Sequence, residues 1–238
     1  MSGHSKWSNI KHKKAKVDAQ RGSVFTKISR EISVAAKQGG GNPESNFRLK
    51  IAVQKAKEAN IPNDNIQRAI IKGIGDNENA NYEEIVYEGY GPGGSAFLLE
   101  ILTDNRNRTA GDIRHLFSKN SGNLGETGCV SWMFDKKAYW VVEDNKVDED
   151  TLIEHLINAG AEDVQFDGTS VEILSAVDTY NQIATLLEEL KLDPAVSEIS
   201  MIPRTVVLLE EEDLALAMKL IDLLDAHDDV QNVFTNID

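Results

Sequence analysis

The sequence has little that would support secretion, membrane insertion or metal binding. It contains a single cysteine, Cys129, in 238 residues, which excludes an internal disulfide and fits a reducing compartment. No stretch approaches the roughly 18 consecutive apolar residues of a membrane helix, and no apolar segment follows the basic amino terminus as in a secretory signal. The five histidines are scattered, so no zinc-ligand spacing exists. We therefore expect a cytoplasmic protein without a metal site or a membrane partner.

Signatures of catalysis and cofactor binding are also missing. No serine or cysteine stands in a recognisable nucleophile motif. The string GYGPGG at 89–94 has the G-x-G-x-x-G spacing of a nucleotide-binding loop, but that loop needs a helix directly after its glycines. Here the strand-forming SAFLLEILTD follows, which predicts a hairpin turn, with an exposed contact loop for a large partner as the alternative. We expect no enzyme activity and no cofactor.

An acidic run at 148–150 invites comparison with a calcium-binding loop. Glu149 stands where such a loop requires glycine, and His155 stands where it requires glutamate. Acidic residues are also favoured at the positive end of a helix. The run is therefore interpreted as the start of a helix capped by Asp148.

Charge is distributed very unevenly along the chain. Residues 1–75 carry 15 of the 25 basic and 5 of the 39 acidic residues, so they have a formal charge of +10 and residues 76–238 have −24. A solvated surface explains an acidic body well and a basic amino-terminal third poorly. The asymmetry indicates a basic region that binds an anionic partner, above all nucleic acid.

The basic residues are densest near the amino terminus, where they surround Trp7 and two histidines, His4 and His12. Lysines can neutralise phosphates, and Trp7 can either stack on an exposed base or pack against the folded body. The residues assigned to nucleic-acid binding are Lys6, Trp7, Lys11, His12, Lys13, Lys14, Lys16, Arg21, Lys27 and Arg30.

A second basic cluster begins with NRNR at 105–108 and continues with Arg114, His115 and Lys119. Two interpretations stay open for it. The arginines either pair with neighbouring acids, or Arg106 and Arg108 form secondary contacts to phosphates.

Apolar periodicity in the first third predicts a small bundle of three helices. Residues 18–37 repeat apolar side chains at three- and four-residue steps and stop at a run of glycines. The next helix is predicted to begin at the Asn42-Pro43-Glu44 capping sequence. A third helix is predicted to be capped by Asn63 and terminated by Gly73.

Beyond residue 82, strand and helix patterns alternate. We expect a hairpin at 84–90 and 95–103, a helix at 110–120 capped by Thr109, and a strand at 129–134 in which Cys129 is buried. The next elements read β-α-β-β-α-β, the ferredoxin-like order, with strands at 137–143, 163–166, 170–175 and 196–202 and helices at 149–159 and 178–190. Last come a strand at 204–209, a helix at 212–226 and a strand at 230–235.

These patterns predict a multidomain fold of α and α+β class. A basic amino-terminal helical bundle is followed by two ferredoxin-like α/β domains, one inserted into the other. The predicted limits are 1–75 for the tail and helical domain, 82–134 plus 204–238 for the discontinuous domain, and 135–203 for the inserted domain.

Several segments resemble the YebC family, and the resemblance extends over essentially the whole chain. They are GHSKWSNIKHKKAKVDAQRGSVFTKISREI, YEGYGPGG, TDNRNRTAGDIRHLFSKNSGNLGETGCVSWMF and IPRT. The resemblance implies a helical amino-terminal domain and two α/β domains, one of them discontinuous, without cofactor or catalytic residues. Lys6, Trp7, Lys11, Lys13, Lys14 and Lys16 match the basic start of the family.

The family resemblance also implies a role in gene expression. Many members are catalogued as probable DNA-binding transcriptional regulators, while a mitochondrial relative is a translational activator of cytochrome oxidase subunit one. The family is also linked to ribosomes and to translation through proline-rich stretches. We therefore expect a non-enzymatic nucleic-acid-binding regulator, with DNA as the target implied by that catalogued role. The alternatives are a translation factor that associates with ribosomal RNA, and an acidic protein-interaction module that does not bind nucleic acid.

Overall fold

The computed structural model describes residues 21–75, 82–143, 146–168 and 170–238. These residues form two compact units, one made of residues 21–131 and Val207–Ile237 and the other of Trp132–Val206. None of the described helices is long and apolar enough to span a membrane. In chain order, the described helices and strands are α1 (Arg21–Gly39), α2 (Phe47–Glu58), α3 (Asn63–Ile74), β1 (Glu83–Tyr90), β2 (Ala96–Thr103), α4 (Arg106–Lys119), β3 (Asn123–Leu124), β4 (Phe134–Val142), α5 (Glu149–Asn158), β5 (Ala161–Asp167), β6 (Ser170–Ser175), α6 (Tyr180–Glu189), β7 (Pro194–Pro203), α7 (Glu211–Asp225) and β8 (Val230–Thr235).

Helices α1, α2 and α3 pack around an apolar core rich in alanine, as the periodicity of the sequence predicts. Because the distance between helix axes depends on the side chains at the contact, small residues allow close packing. The buried residues of this core are Ile32, Ala35, Ala36, Leu49, Ala52, Ala56, Ile61, Ile66, Ala69 and Ile70.

The predicted cap of α2 is wrong by four residues. The helix begins at Phe47 and is capped by Asn46, whose side-chain oxygen accepts a hydrogen bond from the backbone N–H of Leu49 at 3.1 Å. Asn46 is buried, and its amide nitrogen donates to the carbonyl oxygens of Ala35 and Gly40 at 2.7 and 2.8 Å. One side chain therefore satisfies both the start of α2 and the end of α1.

Gly73 was predicted to terminate α3, and this is also wrong. The glycine lies inside the helix, where an added Cβ would come 2.2 Å from the carbonyl oxygen of Ser33 on α1. The hydroxyl of Ser33 in turn donates to the carbonyl oxygen of Ala69 at 2.9 Å. Gly73 is thus a point of close approach between two helices. Asn63 is the first residue of α3, and the cap position before it is Pro62.

The first sheet belongs to the same compact unit as the three helices and has the strand order β3-β1-β2-β8, antiparallel throughout. Helices α4 and α7 pack on one face. Its core consists of Phe97, Leu99, Ile101, Ile113, Phe117, Ala217, Leu220, Leu224, Val230, Val233 and Ile237.

Three sequence-based predictions differ from the structure in this region. Residues 204–209 form no strand, and only a single bridge joins Val207 to Ile237. The strand predicted at 129–134 begins only at Phe134, as β4. Helix α4 begins at Arg106 and is capped by Asn105, because the side chain of Thr109 is buried and bonded to an aspartate instead.

The hairpin between β1 and β2 closes through the glycines of GYGPGG, as predicted. Residues Pro92–Gly94 form one short turn of helix, and Gly93 and Gly94 have positive φ angles of 61° and 77°. Strand β2 follows, so the helix that a nucleotide-binding loop requires does not come after the glycines.

The second sheet has the order β5-β6-β4-β7, which is the ferredoxin-like arrangement of β-α-β-β-α-β. As predicted, Asp148 caps α5, its carboxylate accepting from the backbone N–H of Thr151 at 3.2 Å. The rings of Trp140 and Tyr180 lie 5.0 Å apart in the core beneath α6.

The predicted class, a helical part followed by α/β domains, is confirmed. The first sheet, like the second, has four antiparallel strands and two packed helices. Its chain order, however, is β-β-α-β-α-β. This differs from the ferredoxin-like order because the successive strands β1 and β2 pair directly in the centre of the sheet.

Candidate nucleic-acid interface

Most of the residues assigned to nucleic-acid binding lie outside the described part of the chain. Lys6, Trp7, Lys11, His12, Lys13, Lys14 and Lys16 all precede residue 21. Arg21 is the first residue of α1, but its side chain is not among those that the structure describes. Their role in binding stays a prediction.

The two remaining residues of that set are Lys27 and Arg30. Their side chains extend from α1 to the carboxyl end of α7 and the residues that follow it. The ammonium of Lys27 donates to the carbonyl oxygen of Asp225. The guanidinium of Arg30 donates to the carbonyl oxygen of Asp228 at 2.9 Å and to the carboxylate of Asp229 at 2.8 Å. Cations are favoured beside the free carbonyl groups of a helix end. Both side chains therefore help to hold the helical part against the first sheet.

Asp229 is the centre of this contact, and only 3% of its surface is exposed. Its other carboxylate oxygen accepts hydrogen bonds from Arg108 at 2.9 Å, Thr109 at 2.7 Å and Thr103 at 3.1 Å. Burial alone would raise the pKa of Asp229, but the bonds from Arg108, the threonines and Arg30 outweigh it and lower the pKa to about 2.

The structure separates the two arginines of the NRNR cluster. Arg108 forms ion pairs with Asp104 at 2.8 Å and with Asp229 at 2.9 Å. Arg106 is exposed, and within the described ranges it has no ion pair. Of the two open interpretations, internal pairing therefore applies to Arg108.

Arg48 also has an internal role. Its guanidinium lies 2.7 Å from Glu31 on α1 and 2.7 Å from Glu84 on β1, and it donates to Gln38 at 2.7 Å. Burial opposes its charge, yet the hydrogen bonds and negative charges of Glu31 and Glu84 raise its pKa above the usual value. This network is a second link between the helical part and the first sheet.

Four other cations of the helical part face solvent, and the sequence-based assignment missed them. Lys50 and Lys57 lie seven residues apart on one face of α2, and Arg68 and Lys72 lie four residues apart on one face of α3. Among the residues that the structure describes, none of the four has an ion-pair partner. The sequence could have indicated them, because helix positions four and seven residues apart share a face, and these four residues lie outside the apolar positions of α2 and α3.

A second buried carboxylate, Glu88 on β1, organises the loop that ends at residue 131. It accepts hydrogen bonds from the backbone N–H groups of Gly128, Val130 and Ser131 at 2.7, 2.8 and 2.7 Å. Burial would raise the pKa of Glu88, but these three bonds outweigh it and lower the pKa. Cys129 lies in this loop and is half-buried, so the prediction of a buried strand residue is wrong.

The described residues include no cluster of histidine, cysteine and carboxylate side chains that could hold a metal ion. Burial and the charge of Glu88 raise the pKa of the Cys129 thiol, which disfavours the reactive thiolate.

Comparison with known proteins gives matches over nearly the whole chain. A family model described as the TACO1/YebC protein N-terminal domain matches residues 5–76, and one described as the TACO1/YebC second and third domain matches residues 82–237. A probable transcriptional regulatory protein of Pelotomaculum thermopropionicum is 58% identical over 99% of this chain and 98% of its own length. One of the same name from Carboxydothermus hydrogenoformans is 51% identical over 100% and 99%.

A solved structure agrees with these matches. The crystal structure of a conserved hypothetical protein from Aquifex aeolicus superposes with a TM-score of 0.84 at 44% identity, covering 94% of this chain and 93% of the other. With both family models matched and close relatives aligned end to end, the chain belongs to the TACO1/YebC family.

Proposed function

We propose that this protein is a non-enzymatic regulator of gene expression that binds nucleic acid through its basic amino-terminal third. The observation that carries the proposal is the set of exposed cations on α2 and α3, namely Lys50, Lys57, Arg68 and Lys72. They extend the basic character of the preceding segment onto a folded surface. The names of the relatives, probable transcriptional regulatory proteins, support a regulatory role.

The mode of binding that fits this surface is contact with phosphates. Sequence readout in a DNA groove commonly uses arginines that bind guanine edges. Arg30, Arg48 and Arg108 are instead held by carboxylates of the protein itself. The exposed cations of the helical part are mostly lysines, which act on phosphates as point charges.

DNA is the first proposed target, because the relatives are named as transcriptional regulators. A second candidate is structured RNA, with action in translation at the ribosome. The internal pairing of Arg30, Arg48 and Arg108 favours it, since a factor that binds RNA by shape and phosphates needs no exposed base-reading helix. Either activity fits a protein of the cytoplasm.

Salt dependence of binding tests the proposal directly. If the lysines of residues 6–16 neutralise five phosphates, the logarithm of affinity falls with the logarithm of salt at a slope of about −3.5 to −4.5. Fluorescence anisotropy of a labelled DNA duplex and of a labelled RNA hairpin, from 50 to roughly 300 mM salt, measures this slope. We expect Lys13→Glu, Lys14→Glu and Lys16→Glu together to remove most of it.

A charge-matched control separates specific contacts from net charge. Lys146, Lys191 and Lys219 are exposed and lie outside the amino-terminal third. Their combined change to glutamate alters net charge equally and is expected to leave most of the slope in place. Equal loss in both triple variants, or unchanged binding after removal of residues 1–17, contradicts the proposal.

Crosslinking in living cells, followed by sequencing of the attached nucleic acid, separates the two targets. Discrete promoter peaks that disappear in the Lys13, Lys14 and Lys16 variant support transcription. Enrichment of ribosomal RNA with the same lysine dependence supports the second candidate and overturns the first.

A further inference from the structure

Two arginines on the exposed side of helix α4 take no part in its ion pairs. Arg106 and Arg114 are exposed, and within the described ranges neither has an ion-pair partner. Arg108, on the same helix, is bound to Asp104 and Asp229. In a region of the chain that is rich in carboxylates, two unpaired arginines beside a paired one need an explanation.

The charges of the two arginines act on the same tyrosine. They are separated by two helical turns, about 12 Å along the axis, and the hydroxyl of Tyr87 on β1 donates to the carbonyl oxygen of Arg106 at 3.3 Å. Partial burial raises the pKa of Tyr87, while the positive charges of Arg106 and Arg114 act in the opposite direction. Both guanidinium groups therefore lie within electrostatic reach of the same phenol hydroxyl.

Few acids compete for these arginines. Glu83 on β1 is the acid whose charge also acts on Tyr87, and it has no ion pair with either arginine. Asp112, on the same helix, faces His227 at 3.5 Å. Between the two arginines the helix presents the small residues Ala110 and Gly111, and an added Cβ on Gly111 would meet no atom within 4 Å. A bulky anion can therefore approach the helix closely.

We propose that Arg106 and Arg114 on α4 form a second phosphate-binding surface that contacts the backbone of the nucleic acid bound by the amino-terminal third. This inference rests on the proposed function. Guanidinium groups bind phosphate oxygens through paired N–H donors. The favoured occupant is the nucleic acid already held by the basic segment, because its regularly spaced phosphates can reach both guanidinium groups at once.

The test compares two full-length variants with the same change in charge. One is Arg106→Gln with Arg114→Gln, and the control is Lys191→Gln with Lys219→Gln, two exposed lysines outside α4. With a labelled DNA duplex, loss of two phosphate contacts reduces the salt slope by about 1.8 and weakens binding by roughly 10- to 60-fold at 0.1 M salt. The control is expected to bind as the unchanged protein does. Thermal unfolding verifies that both variants are folded, as expected for exposed positions.

The outcomes separate this inference from the proposed function. If the unchanged protein binds and the Lys13, Lys14 and Lys16 variant does not, while the arginine variant keeps the full slope, the α4 surface is wrong and the proposed function stands. If the arginine variant loses affinity for a labelled polyglutamate peptide but not for DNA or an RNA hairpin, the surface binds acidic protein and the inference is overturned. If the unchanged protein binds neither nucleic acid, both proposals fail.

Discussion

At the scale of single residues, Asp229 shows why the basic residues of α1 are not all free to bind a partner. Its carboxylate is bonded by Arg30 of α1, Thr103 at the end of β2, and Arg108 and Thr109 of α4. These donors lie about 120 to 200 residues away in sequence, as far as 199 for Arg30. Removing one partner of a buried charged network leaves the others unsatisfied, which is costly.

The first prediction concerns Asp229→Asn. Because the folded-state pKa is about 2 and the unfolded value is 3.8, the carboxylate contributes stability above the unfolded pKa and loses it as pH falls through the folded pKa. A shift of this size corresponds to about 2 kcal/mol at neutral pH, of which about 1 kcal/mol is gone by pH 3.

Urea denaturation at pH 7, 5, 4 and 3 measures this effect. The free energy of unfolding of Asp229→Asn is expected to lie about 2 kcal/mol below that of the unchanged protein at pH 7, with the gap narrowing below pH 4. Asp228→Asn is the matched control, since that neighbouring side chain is exposed. A gap that stays constant from pH 7 to pH 3 contradicts the assignment.

The second prediction concerns Glu88→Gln. The carboxylate accepts three backbone hydrogen bonds, whereas an amide presents one oxygen and turns an N–H₂ group towards a donor. We expect a loss of about 1–3 kcal/mol in unfolding free energy. Hydrogen exchange at residues 125–131 should become faster. Glu126→Gln, at an exposed position of the same loop, should change neither quantity; equal effects of the two variants would refute the anchoring role.

At the scale of helices and strands, the sequence predicted most elements but not their contacts. The apolar repeats of α1, α2 and α7 were sufficient to locate these helices, because periodicity reports burial directly. The cap of α2 was missed because Asn46 is fixed by carbonyl groups of α1, a tertiary contact that no local pattern contains. Residues 204–209 have strand composition, but they form only one bridge with Ile237.

The third prediction compares two helical glycines. Gly73→Ala would place a Cβ 2.2 Å from the carbonyl oxygen of Ser33, so α1 and α3 must separate. The cost of such overpacking, about 1–3 kcal/mol, exceeds the gain in helix propensity. Gly111→Ala meets no atom within 4 Å on α4 and is expected to stabilise the protein by about 0.5–1 kcal/mol. Chemical denaturation of both variants is the measurement, and a destabilised Gly111→Ala together with an unaffected Gly73→Ala would reverse the argument.

At the scale of the whole molecule, the boundary between basic and acidic sequence does not coincide with the boundary between the compact units. The formal charge changes sign near residue 75, with +10 before it and −24 after it. The compact units instead join the basic helices to the acidic first sheet, through Arg30 with Asp229 and Arg48 with Glu84. The candidate site could be predicted only as a basic region. The sequence does not show which cations are bound by acids of the protein itself, because the partners are distant in sequence, as Arg30 and Asp229 are.

The last prediction concerns independent folding of the second unit. Residues 132–206 contain all four strands and both helices of the second sheet, together with its aromatic core around Trp140 and Tyr180. Since no strand of this sheet is missing, the isolated segment is expected to unfold cooperatively.

Residues 82–131 alone lack β8, the neighbour of β2, and α7, which supplies Leu220 and Leu224 to the core. That fragment should therefore fail to fold, whereas a short linker to residues 207–238 should restore folding. Circular dichroism and thermal unfolding of the three fragments decide the matter, and a cooperatively folded 82–131 fragment would show that the closing elements are not needed.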